Sequence, residues 1–351
     1  MKIVNTKYII IGAGLSGLTT AHLLLKHGET DFIMLEARDR VGGRIQTDNG
    51  VDLGATWLQE HHINLNVLLD SLSIQKFEQY SKGQSVLVYN TMAPVHFFES
   101  QHNGPSAYRI SGGSKALITK LAKDLKDKIQ LSVKVLELTE DSGMVQVKTN
   151  NAVYIGNKVV VTIPPKLAST LIFTPPLPEN LLGAMKLTHT WMSNAMKIGM
   201  IFKNPFWREE NFSGTLIGQV GPVVELYDHC SADYKTFALM GFINEGLRDV
   251  TPAQRKERIL SYLEKYLGEE IRNYESYFEK DWSKDKFTSC ENLKSVYMSP
   301  HYGNKYFEDF YFKGKLLFSG TETSPVYGGY LDGAVYSGIN AARKLLKKEL
   351  V

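Results

Sequence analysis

Gly12-Ala13-Gly14-Leu15-Ser16-Gly17 follows the apolar run Tyr8-Ile9-Ile10-Ile11 directly and opens a leucine-rich segment. A turn of this kind can hold a pyrophosphate. Gly12 permits the tight turn, Gly14 lets backbone approach the phosphates, and Gly17 lets helix and strand pack closely. The N–H groups around Leu15 and Ser16 then face the anion at a helix N-terminus. Glu36 ends the next apolar segment at the distance expected of a carboxylate that accepts from ribose hydroxyls. The alternative is a structural turn beside a solvated Glu36. The complete strand, turn, helix and acid context favours a dinucleotide. Ala37, Arg38, Gly42-Gly43 and Arg44 follow at once. The glycine pair offers a second close backbone approach, and Arg44 or Arg38 offers charge-assisted bonds to a phosphate. Further on, Lys197 interrupts the apolar stretch Ala195-Met196-Lys197-Ile198-Gly199-Met200. Burying a lysine is costly unless something uses it. The alternative is an edge-strand lysine that snorkels to solvent. Gly328-Gly329 feeds a long final helix whose N-terminus at Leu331 would aim positive partial charge at whatever lies before it.

The elements that must position these groups are legible from periodicity. Residues 8–11 and 32–36 read as strands around a helix over 15–27 that stops at Gly28, a βαβ pattern. Gly112-Gly113-Ser114 leads into a helix over 115–126, residues 133–147 alternate as antiparallel strands, and 158–163 form a strand stopped by Pro164-Pro165. Thr251-Pro252-Ala253-Gln254 starts a capped helix that ends at Gly268. Residues 310–319 and 331–349 read as a strand region and the last helix. Without repeats or low-complexity linkers, a second domain must be inserted into the first.

Net charge of +3 argues against a nucleic-acid or membrane-surface partner. Two cysteines, Cys230 and Cys290, without ligand-spaced neighbours suit a reducing, cytoplasmic setting. His61-His62 has no evident carboxylate or histidine partner, so no metal site is expected. No window approaches roughly 18 consecutive apolar residues, so no membrane span is expected.

Several motifs resemble the flavin-containing amine oxidases, the monoamine oxidase family. They are the run Glu36 to Arg44, the segment Asp52-Leu53-Gly54-Ala55-Thr56-Trp57, the strand entering Pro164-Pro165, Lys197 with Asn204-Pro205-Phe206-Trp207, and Gly320-Thr321-Glu322-Thr323 with Gly329-Tyr330-Leu331-Asp332-Gly333. They keep the family's order from end to end. The resemblance implies an α/β fold: a Rossmann-type FAD-binding domain in discontinuous pieces (1–79, 109–174 and 288–351) with an inserted, reduced β-sheet and helix substrate domain (80–108 and 175–287). It implies FAD contacts at Gly54, Ala55, Thr56, Trp57, the Val135 backbone, Trp282, Gly320, Thr321, Glu322, Tyr330 and Leu331. It also implies that Lys197 holds a water beside flavin N5 and that Tyr330 is one aromatic wall for the amine. Asn292 stands where the second wall is expected, with Phe287 or Tyr297 as substitutes. Cys290 lies one position before the place where some relatives attach flavin, with Glu291 there, so the FAD is expected to be non-covalent.

The reaction implied is oxidation of a C–H next to an amine nitrogen. Hydride passes to flavin, water hydrolyses the imine, and molecular oxygen is reduced to hydrogen peroxide. A flavin desaturase or oxidase acting on a non-amine, or a non-catalytic flavoprotein, stays open at this point. Residues 58–109 are too few for the helical roof of the relatives. A β-like pair over 85–89 and 93–98 replaces it. This predicts an open cleft for a bulky amine, or a roof from a homodimer or partner chain, with Val95, Phe97 and Phe98 at an apolar rim.

Overall fold

The computed structural model describes residues 2–90, 92, 94–99, 107–289 and 301–349. An eight-stranded sheet is built around the first strand, Lys2–Ile11. That strand pairs parallel with Phe32–Leu35 on one side and with Ala152–Val161 on the other. Alternate side chains explain the unbroken apolar run. Tyr8 and Ile10 pack into one core, and Ile9 and Ile11 into the core on the opposite face. A parallel sheet covered on both faces needs apolar residues at every position. Leu316–Phe318 joins as a further parallel strand against Ala152–Val161. The expected 310–319 strand is therefore confined to its last part.

The first helix, Leu15–Lys26, and the last, Leu331–Leu346, share one face of this sheet. They approach closely because Gly338 meets the first helix: a Cβ there would lie 2.6 Å from the Ser16 carbonyl oxygen. The chain's end is thereby brought to the N-terminal turn.

A second, seven-stranded sheet runs in the order Ser276–Asp281, Met196–Phe202, Phe237–Ile243, Val223–Asp228, Phe212–Gly218, Gln84–Val88 and His96–Glu99. The last two are the expected hairpin, which extends the sheet at its edge. Helix Pro252–Leu267 packs Ile259, Leu260, Leu263 and Leu267 on this sheet. Thr251 caps it by accepting from the Gln254 N–H, and Gly268 (φ +85°) ends it. Helix Glu179–Leu187 lies within the span expected for the substrate domain. It instead buries Leu181 and Met185 in the core of the first sheet.

Candidate functional site

The glycine turn lies at the carboxyl end of the first strand. Gly12 has φ +107°, and its N–H donates to the Leu35 carbonyl (2.8 Å). A Cβ on Gly17 would lie 2.2 Å from the Gly12 carbonyl oxygen, so close helix–strand packing requires glycine there. Gly14 differs. A Cβ on it would meet nothing within 4 Å, and its φ of −76° suits any residue. Its lack of a side chain therefore leaves open space in front of a helix whose first turn has no side-chain cap. Gly42 lies beside this turn: its N–H donates to the Ala13 carbonyl (2.8 Å), and it bridges to Gly14. The two glycine segments, separated in sequence, form one wall.

A cleft runs from this wall in both directions. Glu36, Ala37, Arg38 and Val135 line one end, with Gly12, Gly14, Leu15 and Ser16 at the centre. Gly43 packs beside Gly14, where a Cβ on it would lie 3.4 Å from the Gly14 Cα, and Arg44, Ala55, Gly320, Thr321, Tyr330 and Leu331 complete the lining. Gly17, Gly54, Thr56, Trp57, Lys197, Trp282 and Glu322 are not among the residues that line it. Buried Glu36 accepts from the Ala13 N–H (2.8 Å) and the Arg38 N–H (2.9 Å) and keeps acceptor capacity toward the cleft.

Both arginines expected to meet a phosphate have protein partners. Arg44 makes a bidentate pair with buried Glu322 (2.5 and 2.9 Å). Burial opposes its charge, but Glu322 outweighs that, so its pKa is raised. Arg38 donates to Asp285 (2.6 Å) and Thr288 (2.9 Å), and its guanidinium lies 5.4 Å from the Phe287 ring centre. Phe287 thus stands beside Arg38 in the cleft lining. The reason is charge neutralisation. A part-buried guanidinium beside a carboxylate is held in place by it, and the ion pairs tie distant segments to the cleft wall.

At the far end, Tyr330 is the N-cap of the last helix, which also lacks a side-chain cap. The Thr321 hydroxyl donates to the Tyr330 carbonyl (2.7 Å). Tyr330 is 58% exposed, and its ring centre lies 5.4 Å from that of His62, which packs on Tyr327 at 4.9 Å. His61 and His62 thus belong to an aromatic cluster beside Tyr330. Asn292, Tyr297, Cys290 and Glu291 lie outside the described residues. Among the described residues, no three His, Cys, Asp or Glu side chains converge as metal ligands.

Lys197 lies on Met196–Phe202, which is flanked by strands on both sides, and is 1% exposed. It is not an edge lysine. Its ammonium donates to the carbonyls of Asp52 (3.0 Å) and Gly54 (2.9 Å) and to the Thr56 hydroxyl (3.0 Å). The rings of Phe242 and Trp57 lie 4.9 and 5.6 Å away. Burial lowers its pKa to about 7 against the pull of Asp52 and Glu225. An ammonium has three donors, and these three acceptors engage them. Trp282 donates to the Leu53 carbonyl (2.7 Å), and Trp57 donates to Gln79 (2.8 Å).

Met192, Thr162 and Ile163 also line the cleft and escaped the sequence reading. Thr162 and Ile163 were findable, since ligands of open α/β sheets bind beyond the carboxyl ends of the strands. Met192 carries no such signal.

The cleft suits FAD on these observations: an uncapped helix N-terminus, open space at Gly14, a buried carboxylate at one end and a second uncapped helix at the other. Comparison with known proteins agrees. The family model described as flavin containing amine oxidoreductase matches residues 15–92 and 81–346. A probable flavin-containing monoamine oxidase A of Dictyostelium discoideum is 25% identical over 97% of this chain and 98% of its own. That alignment runs over 453 positions, so the relative carries segments that this chain lacks. Flavin-containing amine oxidase B of Sus scrofa is 29% identical over 96% of this chain and 85% of its own. A solved structure of putrescine oxidase bound to putrescine superposes with a TM-score of 0.86, covering 99% of this chain and 100% of that one at 21% identity.

Proposed function

This chain belongs to the flavin-containing amine oxidoreductase family, and from that premise we propose that it is an FAD-dependent amine oxidase acting on an open cleft. Bound FAD would supply the redox chemistry, taking two electrons and a hydrogen from the carbon next to the amine nitrogen and passing them to molecular oxygen, so that amine, water and oxygen become aldehyde, ammonia and hydrogen peroxide.

The chain supplies binding, orientation and charge. Gly12, Gly14 and the N–H groups of Leu15 and Ser16 hold the pyrophosphate without covalent attachment. Glu36 accepts from the ribose, and the Val135 backbone meets the adenine. The N-terminus of Leu331–Leu346 directs positive partial charge at the far end of the cleft, where it stabilises developing negative charge. Lys197 adds charge from behind Ala55, and Tyr330 offers a ring face to the amine. The division into a discontinuous FAD-binding domain and a reduced substrate domain belongs to this proposal, as does a cytoplasmic location.

The observation that carries the reading is the cleft itself, which joins the glycine turn and Glu36 to Tyr330 and Leu331. Exposure of Tyr330 (58%) supports an open substrate end that admits a bulky amine or is covered by a second chain. Among the described residues no helix is long and apolar enough to cross a membrane. The test is anaerobic flavin bleaching across a panel of small and bulky amines, with peroxide and ammonia assays in air. Bleaching by amines with both products supports the proposal. Bleaching only by non-amines, or bound FAD that nothing reduces, refutes it.

A further inference from the structure

The strip Asp52–Thr56 lies between the cleft and Lys197, and its backbone is gripped by side chains from distant segments. The Asp52 and Gly54 carbonyls take Lys197, and the Leu53 carbonyl takes Trp282. The Asp52 N–H donates to His229 Nε2 (3.1 Å). The Asp52 backbone is thus held through both flanking peptide groups, at its carbonyl by Lys197 and at its N–H by His229. His229 follows strand Val223–Asp228, and its own N–H donates to the Ala238 carbonyl (2.7 Å), so its backbone belongs to the second sheet. Asp52 carries its side chain to Ser114 and Thr47, on the first domain's side.

The ring is 1% exposed. Because Nε2 accepts, the imidazole proton sits on Nδ1, which has no partner among the described residues. A buried donor without a partner is costly. Retaining a histidine here is therefore not explained by its other nitrogen. Burial, Arg109 and Lys197 together hold its pKa well below the ordinary range, so the ring stays neutral and Nε2 stays an acceptor.

We propose that His229 is a positioning residue: by anchoring the Asp52 backbone at its N–H it sets the acceptor cage of Lys197 and, through Gly54 and Ala55, the wall of the cleft. The proposal rests on the reading of that cleft as a flavin site. The charged or titratable groups around Lys197 are Asp52 and Glu225, with His229 and Arg109 behind Asp52. Replacing neutral His229 with a neutral residue therefore changes geometry without changing charge.

The test uses the full chain reconstituted with FAD, in wild type, H229L, H229Q and K197M. Leucine cannot accept from the Asp52 N–H, whereas the glutamine carbonyl can. Wild type that takes up no FAD defeats the reading of the cleft and is scored separately. With FAD bound, the flavin absorption spectrum is followed from pH 6 to 9. Wild type should show a transition that K197M lacks. H229L should shift its midpoint downward, because the ammonium loses a fixed acceptor, and should weaken FAD binding about tenfold, as expected for one lost buried hydrogen bond. H229Q should restore both to within about threefold of wild type. A wild-type spectrum without a transition, an unchanged midpoint in H229L, or an H229Q as impaired as H229L overturns the proposal. Should H229L fail to fold, H229Q decides together with amide exchange of Asp52 in wild type. A wild-type midpoint in H229Q with strong Asp52 protection supports the tie, and either a shifted midpoint or rapid exchange overturns it.

Discussion

Replacing Lys197 by methionine keeps the length and apolar stem of the side chain and removes its charge. In the folded chain the amine titrates at about 7 because burial disfavours the cation, against 10.5 for an ordinary lysine. Below pH 7 the lysine is protonated in both folded and unfolded chains, and the full cost of burying the charge is present. Between pH 7 and 10.5 the unfolded chain binds more protons than the folded one, so wild-type stability rises with pH and then levels off. Each pH unit is worth about 1.4 kcal/mol, so the whole span amounts to about 4–5 kcal/mol as an upper figure. Lys197→Met has no such group. The stability difference between wild type and variant should therefore move in favour of wild type by about 1.4 kcal/mol per pH unit across this window. At neutral pH the variant loses three hydrogen bonds but no longer buries a charge, so the two effects oppose. The assay is urea denaturation followed by tryptophan fluorescence at pH 7, 8, 9 and 10, with FAD at saturation. Comparing the two proteins cancels the other titrating groups. Parallel stability profiles would refute the argument that Lys197 is a desolvated cation.

Gly14→Val should leave folding intact, because its side chain enters open space, yet abolish FAD uptake; retained flavin absorbance would contradict the pyrophosphate placement. Gly17→Ala should lose both FAD and stability, by about 2 kcal/mol or more, because its methyl group meets the Gly12 carbonyl; a thermal scan matching wild type would count against this. Lys197→Met should slow amine oxidation or flavin reoxidation at least about tenfold with FAD still bound, and unchanged stopped-flow rates in both half-reactions would return the lysine to a structural role. Acid precipitation should release all the flavin, and a yellow washed pellet would show a covalent link.

Much of the cofactor end, and the capped helix on the second sheet, was readable in the sequence because the causes are local. A turn that needs φ +107° at Gly12, a helix opened by Thr251 and Pro252 and closed by Gly268, and a strand of alternating buried faces are all decided within a few residues. Order along the chain was also enough to mark Tyr330 and Leu331 as a second cleft-forming segment. Tertiary structure alone decided how charges pair. Arg44 meets Glu322 across 278 positions, Arg38 meets Asp285 across 247, and Asp52 meets His229 across 177. A guanidinium in sequence advertises only that it wants an anion; which anion it finds depends on which segments the two sheets bring together. The same holds for Lys197. Its apolar neighbours announced burial, but which acceptors its three donors find, the Asp52 and Gly54 carbonyls and the Thr56 hydroxyl, depends on residues 52–56 folding back over the strand. Local propensity fixes conformation, whereas packing between distant segments assigns partners.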